Sequence, residues 1–170
     1  AYDPGDSFTM PSSNVYLYAV WCKDLSTNSD YSLTPSSLSS TGVTISWSAV
    51  TGATKYRLEI SDGNEDEQTF LNLTGTSKTI TGLQPNTYYL VGLTAYNDCD
   101  DSYKASTTLD ITTLQRYTIT YNANGGTGTT PATQYRDHGA SAITLSDGSG
   151  LSKAGYTLSK WNTEDDGSGA

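Results

Sequence analysis

Apolar and polar residues alternate in short runs through the central part of the chain, from about residue 33 to residue 113. A period of two places successive side chains on opposite faces of a strand, so each run predicts a strand with one buried face. The predicted inward residues are Val43, Ile45, Trp47, Tyr56, Leu58, Ile60, Tyr89, Val91, Leu93, Ala95, Leu109 and Ile111. Turn-forming residues separate the runs at Thr51-Gly52, Asp62-Gly63-Asn64 and Pro85-Asn86. This pattern predicts an all-β fold, an antiparallel sandwich.

Two stretches of this region are distinctive: VTISWSAVTGATKYRLEIS and TITGLQPNTYYLVGLTAYN. They resemble a fibronectin type III domain. The most specific part is Leu83-x-Pro85-x-Thr87-x-Tyr89, which is similar to the turn where a tyrosine hydroxyl bonds back to the backbone as a tyrosine corner. Trp47 matches the core tryptophan of the second strand. The resemblance implies a β-sandwich over residues 24–115.

The two ends of the chain carry a second signal. The C-terminal end contains YTITYNANGGTGTTPATQY and KAGYTLSKWNTEDDGSG, and the N-terminal end reads AYDPGDSFTMPSSNVYLYAVW. Joined tail to head, the two ends resemble one internalin-B-type (Listeria-Bacteroides) repeat of bacterial surface proteins. The resemblance implies that residues 116–170 form the N-terminal part of a small β-grasp-like repeat and residues 1–23 its C-terminal part.

In that family the first and last strands of the repeat lie side by side, which here implies pairing between Tyr117 to Tyr121 and Val15 to Trp21. A whole sandwich separates these segments, and the termini of such a sandwich leave from poles about 30 Å apart. We therefore expect the two halves at opposite ends of the sandwich. The residues expected to make the contact are Val15, Leu17, Ala19, Trp21, Tyr117, Ile119, Tyr121, Tyr156 and Trp161.

Three arrangements would complete the split repeat. In the first, the chain is one period of a longer tandem array. In the second, a neighbouring copy donates the strand. The third arrangement is closure of the chain on itself, which the short linker from Thr113 to Arg116 disfavours. The first two make a head-to-tail contact that does not close, the geometry that generates filaments.

The chain has two cysteines, Cys22 and Cys99. They are too few for a zinc site, which usually needs four clustered ligands. In a fibronectin-like fold the N-terminus and the loop that contains Cys99 share one pole. The resemblance therefore implies a Cys22–Cys99 disulfide, worth about 4 kcal/mol in the chain-entropy description. The alternative is two free or intermolecularly paired thiols.

Charge and composition exclude several kinds of partner. The net charge of −9 and the pI near 4.3 would repel nucleic-acid phosphates and anionic lipid headgroups. No run of 18 apolar residues suits membrane insertion, so we expect any export signal or anchor to lie outside this segment. The acidic residues around Cys99 and at 164–166 lack the alternating spacing of a calcium loop. We expect solvated acidic loops with no metal and no cofactor, and calcium bound by these carboxylates is the alternative.

These features favour an extracellular or cell-surface structural protein over an enzyme. The predicted function is a repeat unit that forms a filament, stalk or adhesin shaft, with neighbouring copies of the unit as partners. One alternative is an accessory module of a secreted bacterial enzyme or adhesin that binds a glycan or a host surface protein. Another is a fragment of a secreted polysaccharide hydrolase whose catalytic domain lies elsewhere.

Overall fold

The structure is a computed structural model that describes residues 5–21, 23–25, 31–64, 67–97 and 105–169. Every regular element in these ranges is a strand, which confirms the all-β fold class. Within the described ranges there is no helix long and apolar enough to cross a membrane.

The central region folds into two antiparallel sheets. Its strands are β1 (Leu33–Ser36), β2 (Gly42–Trp47), β3 (Lys55–Ser61), β4 (Glu67–Leu73), β5 (Ser77–Thr81), β6 (Tyr88–Tyr96) and β7 (Ala105–Thr112). One sheet has the order β1-β2-β5 and the other the order β4-β3-β6-β7. The two sheets enclose one core and form a fibronectin-like β-sandwich, as predicted.

The core consists of the residues that the alternating pattern predicts. All of the predicted inward residues are buried except Leu109, which is partly buried against the same cluster. Leu109 lies on β7, an edge strand of its sheet, where one side of each residue lacks a neighbouring strand. At one end of the core the rings of Trp47 and Tyr56 meet edge to face, with centroids 5.4 Å apart.

The tyrosine corner is present. Tyr89 is fully buried, and the backbone amide of Gln84 donates a hydrogen bond to its hydroxyl at 2.9 Å. The hydroxyl of Thr113 donates to the carbonyl of Gln84 at 2.6 Å. These bonds attach the turn before β6 to the end of β7, and so they fix the pole where the chain leaves the sandwich.

The C-terminal part contains two small antiparallel pairs. Strand β8 (Arg116–Ile119) pairs with β10 (Gln134–Asp137), and β9 (Thr127–Gly128) pairs with β11 (Leu151–Ser152). Tyr121 is buried, and its ring centroid lies 4.6 Å from that of Trp161. The indole nitrogen of Trp161 donates to the carbonyl of Ser146 at 2.7 Å, and the Ser146 amide donates to the Tyr121 hydroxyl at 2.9 Å. This pair of rings is the centre of a small satellite core.

The N-terminal stretch from residue 5 to residue 21 contains no strand. The strand expected from Val15 to Trp21 is therefore not formed. A strand needs a neighbour to bond its backbone, and this stretch has no ladder partner among the described residues.

Candidate functional site

The N-terminal stretch leaves the sandwich at the pole where β6 ends. The side-chain amide of Asn97, one residue beyond Tyr96, donates to the carbonyl of Lys23 at 2.9 Å. Leu25 is fully buried in the sandwich core. Gly52 lies against both, and a Cβ at that position would overlap the side chain of Lys23. Residues 23–25 are thus firmly bound at this pole.

The C-terminal part begins at the opposite pole, where β7 ends. The Leu114 amide donates to the carbonyl of Ser39 at 3.1 Å. The Ser40 amide donates to Oδ2 of Asp137 at 2.9 Å, and Nε of Arg116 donates to the Ser40 hydroxyl at 3.0 Å. Ser40 is fully buried. We call this set of contacts, centred on Ser40, Arg116 and Asp137, the joint.

The joint is also organised electrostatically. Arg116 and Asp137 face each other across β8 and β10, with Nε and Oδ1 4.0 Å apart. The guanidinium lies 5.0 Å from the centre of the Tyr135 ring. Hydrogen bonding from Ser40, aided by the charge of Arg116, lowers the pKa of the Asp137 carboxyl. The ionised carboxylate is therefore the form that suits the joint.

The sandwich separates the two attachment points. Strand β7 has eight residues, and at about 3.3 Å per residue it spans about 26 Å. Its first residue pairs with Ala95, next to the Lys23 pole, and its last residue pairs with Tyr88, next to the joint. The N-terminal stretch and the C-terminal part therefore leave from opposite poles.

Residues 15–21 form what we call the donor segment. Its side chains are exposed, from 37% for Val15 to 89% for Trp21, and the predicted contact residues Leu17 and Ala19 are exposed as well. Sequence analysis missed the other face of the segment, where Tyr16, Tyr18 and Val20 are exposed. The signal was the unbroken apolar run, because such runs are typical of strands covered on both faces.

A groove opens in the C-terminal part, with a volume of about 1280 Å³. We call it the acceptor groove. Its lining comprises residues 118–124, Gly126, Leu145, 147–149, 151–153, 156–165 and Gly167. Four predicted contact residues line it: Ile119, Tyr121, Tyr156 and Trp161. The remaining one, Tyr117, lies outside the groove lining, half-exposed with its ring 6.3 Å from that of His138.

Little of the groove lining belongs to a strand ladder. Among the described residues, β8 pairs with β10 alone, so one edge of β8 has no neighbouring strand. In the stretch 156–163, the only ladder contact made within the described part of the chain is a single bridge between Tyr156 and Lys153. Unpaired strand edges bind further strands readily.

Gly148 shapes the floor of the groove. Its φ is +70°, a left-handed conformation that favours glycine. A Cβ at this position would overlap Leu158 and approach Trp161 to 2.9 Å. The glycine thus leaves room for both side chains in the groove lining.

The other candidate chemistry of the sequence does not assemble into a site among the described residues. No group of His, Cys, Asp and Glu side chains there could bind a metal ion. The acidic loop forms a turn instead, in which the Ser168 amide donates to Asp166 at 2.8 Å and the Gly167 amide to the Glu164 carbonyl at 3.3 Å. Cys22 and Cys99 lie outside the described residues, so the disulfide between them stays a prediction.

Two family models match parts of the chain. Residues 29–112 match the fibronectin type III domain, and residues 117–170 match the Listeria-Bacteroides repeat domain. The chain thus has one match to each of these two domain types. Both are typical of extracellular or surface bacterial proteins and are typically non-catalytic. Since the second match begins at residue 117, the assignment of residues 1–23 to the same repeat stays a prediction.

Solved structures similar to the chain are β-sandwich proteins. One is a computationally redesigned β-sandwich, 24% identical with a TM-score of 0.43, covering 49% of this chain and 92% of that protein. Another is the FN1–FN3 region of chicken CNTN1, 25% identical with a TM-score of 0.41, covering 48% of this chain and 30% of that one. Among curated proteins none matches the chain.

Proposed function

We propose that this chain is a non-enzymatic repeat unit of an extracellular filament, stalk or adhesin shaft. Copies join head to tail: the donor segment of one copy enters the acceptor groove of the next and completes a β-grasp-like module. The observation that carries this proposal is the position of the two features. The exposed apolar donor segment is attached at one pole of the sandwich. The C-terminal part with the open groove is attached at the opposite pole.

The geometry argues against closure within one chain. Trp21 lies two residues before Lys23, so it extends at most about 7 Å from that bound residue. The joint is about 26 Å away along β7. The Trp21 end of the donor segment therefore stays at its own pole. The partner is a second copy, or the next repeat where units follow one another in a longer chain.

The proposed contact buries the apolar side chains that are exposed on the donor segment and in the acceptor groove. Val15, Leu17, Ala19 and Trp21 pack over the rings at the centre of the groove, and large apolar side chains contribute about 1.5–3 kcal/mol each on full burial. The backbone of the donor segment bonds to the edge of β8 that β10 does not occupy. Because the two surfaces differ and lie at opposite ends, the contact repeats without closing.

The test is the solution mass of the 170-residue chain, by size exclusion with light scattering over a range of concentrations. We expect polymers that grow with concentration. Deletion of residues 1–21 should abolish them, whereas deletion of residues 1–12 should not. Leu17→Asp should also abolish them, because a charge would enter the groove. Met10→Asp is the matched control, since Met10 is 67% exposed but lies outside the donor segment.

A chain that stays monomeric at high concentration would contradict the strand-donation form of the proposal. Two copies of the chain fused in tandem distinguish the tandem array from strand donation between separate chains. If only the donor segment at the internal junction is protected, the result would support an array of units within one continuous chain. The alternative of a glycan- or protein-binding module stays a prediction, and it expects a monomer that binds such a ligand.

A further inference from the structure

We propose that the outer face of the sheet β1-β2-β5 is a lateral contact surface, which binds the same face of a second copy in a neighbouring shaft. This inference rests on the proposed function, which supplies the shaft, and adds a weaker interaction along its side. It follows from the side chains on this face and from the charge of the rest of the chain.

The outer face of this sheet is covered by hydroxyl groups. Outward positions on a strand alternate with its buried residues, and cross-strand partners share a face. Apart from Gly42, which has no side chain, the outward residues of the three strands all carry a hydroxyl group. We call them the hydroxyl face: Thr34, Ser36, Thr44, Ser46, Ser77, Thr79 and Thr81.

The hydroxyl face is uncharged. The sequence has no charged residue between Asp30 and Lys55, a range that includes β1 and β2. The charged residue of β5, Lys78, pairs with the buried Ile45 and therefore lies on the core side, where its ammonium group is 4.5 Å from the centre of the Phe70 ring. The outer face of the other sheet carries the charged residues Lys55, Arg57, Glu59, Glu67 and Asp110. Since the chain has a net charge of −9, two copies meet the least repulsion when they approach through the hydroxyl face.

Hydroxyl groups also make this face complementary to itself. Thr44 Oγ1 and Thr79 Oγ1 are 3.0 Å apart and share a hydrogen bond, and the Ser46 hydroxyl donates to that of Ser77 at 3.2 Å. Each hydroxyl has one donor and two acceptor sites, so a bonded pair can still offer a donor and several acceptors to a second molecule. A contact between two copies of one surface needs such self-complementarity, which a surface charged with one sign lacks.

The face is too small to bind two single units stably. Strand β2 has six residues and is about 20 Å long, and three strands about 4.8 Å apart are about 14 Å wide, which gives an area of about 280 Å². A stable interface buries about 800 Å² on each partner. Along a shaft the contact recurs once per unit, and identical shafts have the same repeat length, so many weak contacts act together. We therefore expect bundles of shafts and no dimers of single units through this face.

Low-speed sedimentation and electron microscopy of polymers of the 170-residue chain test this inference. Thr79→Glu and, separately, Ser77→Glu place a charge on the hydroxyl face, whereas Thr79→Ser keeps the hydroxyl. Thr108→Glu is the matched control, because Thr108 is also an exposed threonine on an edge strand but belongs to the outer face of the other sheet. Light scattering at low ionic strength, where repulsion keeps shafts apart, confirms that each variant polymerises.

We expect the parent and Thr79→Ser to form bundles that sediment at low speed. Bundling should increase as added salt shortens the screening length from about 8 Å at 0.15 M to about 3 Å at 1 M. Both variants with a charge on the hydroxyl face should form single polymers, and Thr108→Glu should form bundles like the parent.

Bundles in Thr79→Glu and Ser77→Glu, or an equal loss of bundles in Thr108→Glu, would overturn the contact through this face. Single polymers of the parent at every salt concentration would also overturn it, but would leave head-to-tail assembly intact. If the parent forms no polymers at all, the proposed function fails, and the lateral contact, which needs a shaft, fails with it.

Discussion

Removing the carboxylate of Asp137 should loosen the joint in a measurable way. In Asp137→Ala the Ser40 amide loses its acceptor, and Ser40 is fully buried. A buried donor left without a partner costs about 1–3 kcal/mol. The side chain of Asp137 is 25% exposed, so we expect the lower half of that range. Since about 1.4 kcal/mol is a factor of ten, the opening equilibrium at Ser40 should rise about 5- to 27-fold.

Amide hydrogen exchange at Ser40, measured by NMR, reports this change directly. Asp137→Asn keeps an oxygen acceptor and should show a smaller effect than the alanine variant. Asp166→Ala is the matched control, because Asp166 accepts a comparable bond from the Ser168 amide in an exposed loop far along the chain. Unchanged exchange at Ser40 in Asp137→Ala would refute the assigned role of the joint.

The same carboxylate should make the joint sensitive to acid. Its pKa is lower in the folded chain than the ordinary value of about 3.9, so folding favours the ionised form. The contribution of this carboxylate to the stability of the folded chain is complete above that ordinary pKa. It is lost as the pH falls through the lowered folded-state pKa. Exchange at Ser40, corrected for the intrinsic effect of pH, should therefore accelerate below about pH 4 in the parent and much less in Asp137→Asn.

Two further variants test the tyrosine corner and the groove floor. Tyr89→Phe removes the hydroxyl that accepts a backbone amide, so urea unfolding should show a loss of about 1–3 kcal/mol; unchanged stability would exclude a role for that bond. Gly148→Ala should lower the melting temperature of the C-terminal part, at a cost of about 1–3 kcal/mol, because the added Cβ overlaps Leu158; tryptophan fluorescence of Trp21→Phe and Trp47→Phe backgrounds reports the change at Trp161. Gly139→Ala is the control, because Gly139 has a similar φ of +78° but a Cβ there would meet open space. An equal loss of stability in both variants would show that backbone strain alone causes the effect.

The sandwich could be predicted from sequence because its information is local. Alternation along each strand selects the buried face, and the spacing from Leu83 to Tyr89 identifies one turn with its hydrogen bond. Tertiary context modified only details, such as the partial exposure of Leu109 at a sheet edge and the bulge between Tyr56 and Leu58. The sandwich is thus a case where local pattern and packing agree.

The joint could not be predicted in this way. Ser40 and Asp137 are 97 residues apart, and both are residue types common in ordinary turns. Their pairing depends on the exact path of the linker between β7 and β8, which has no periodic signal. The alternating interpretation of the donor segment left Tyr16, Tyr18 and Val20 out of the predicted contact, although the run is apolar at every position.

The attachment of β8 at one pole and of Lys23 at the other has a mechanical consequence for the proposed shaft. Tension along the shaft would pull on β8 through its Arg116 end and on the donor strand through its Trp21 end. The direction of the donor strand decides how its hydrogen bonds to β8 carry this load, because a parallel donor would be loaded in shear and its bonds would have to break together. An antiparallel donor would instead be peeled away one bond at a time, at a much lower force.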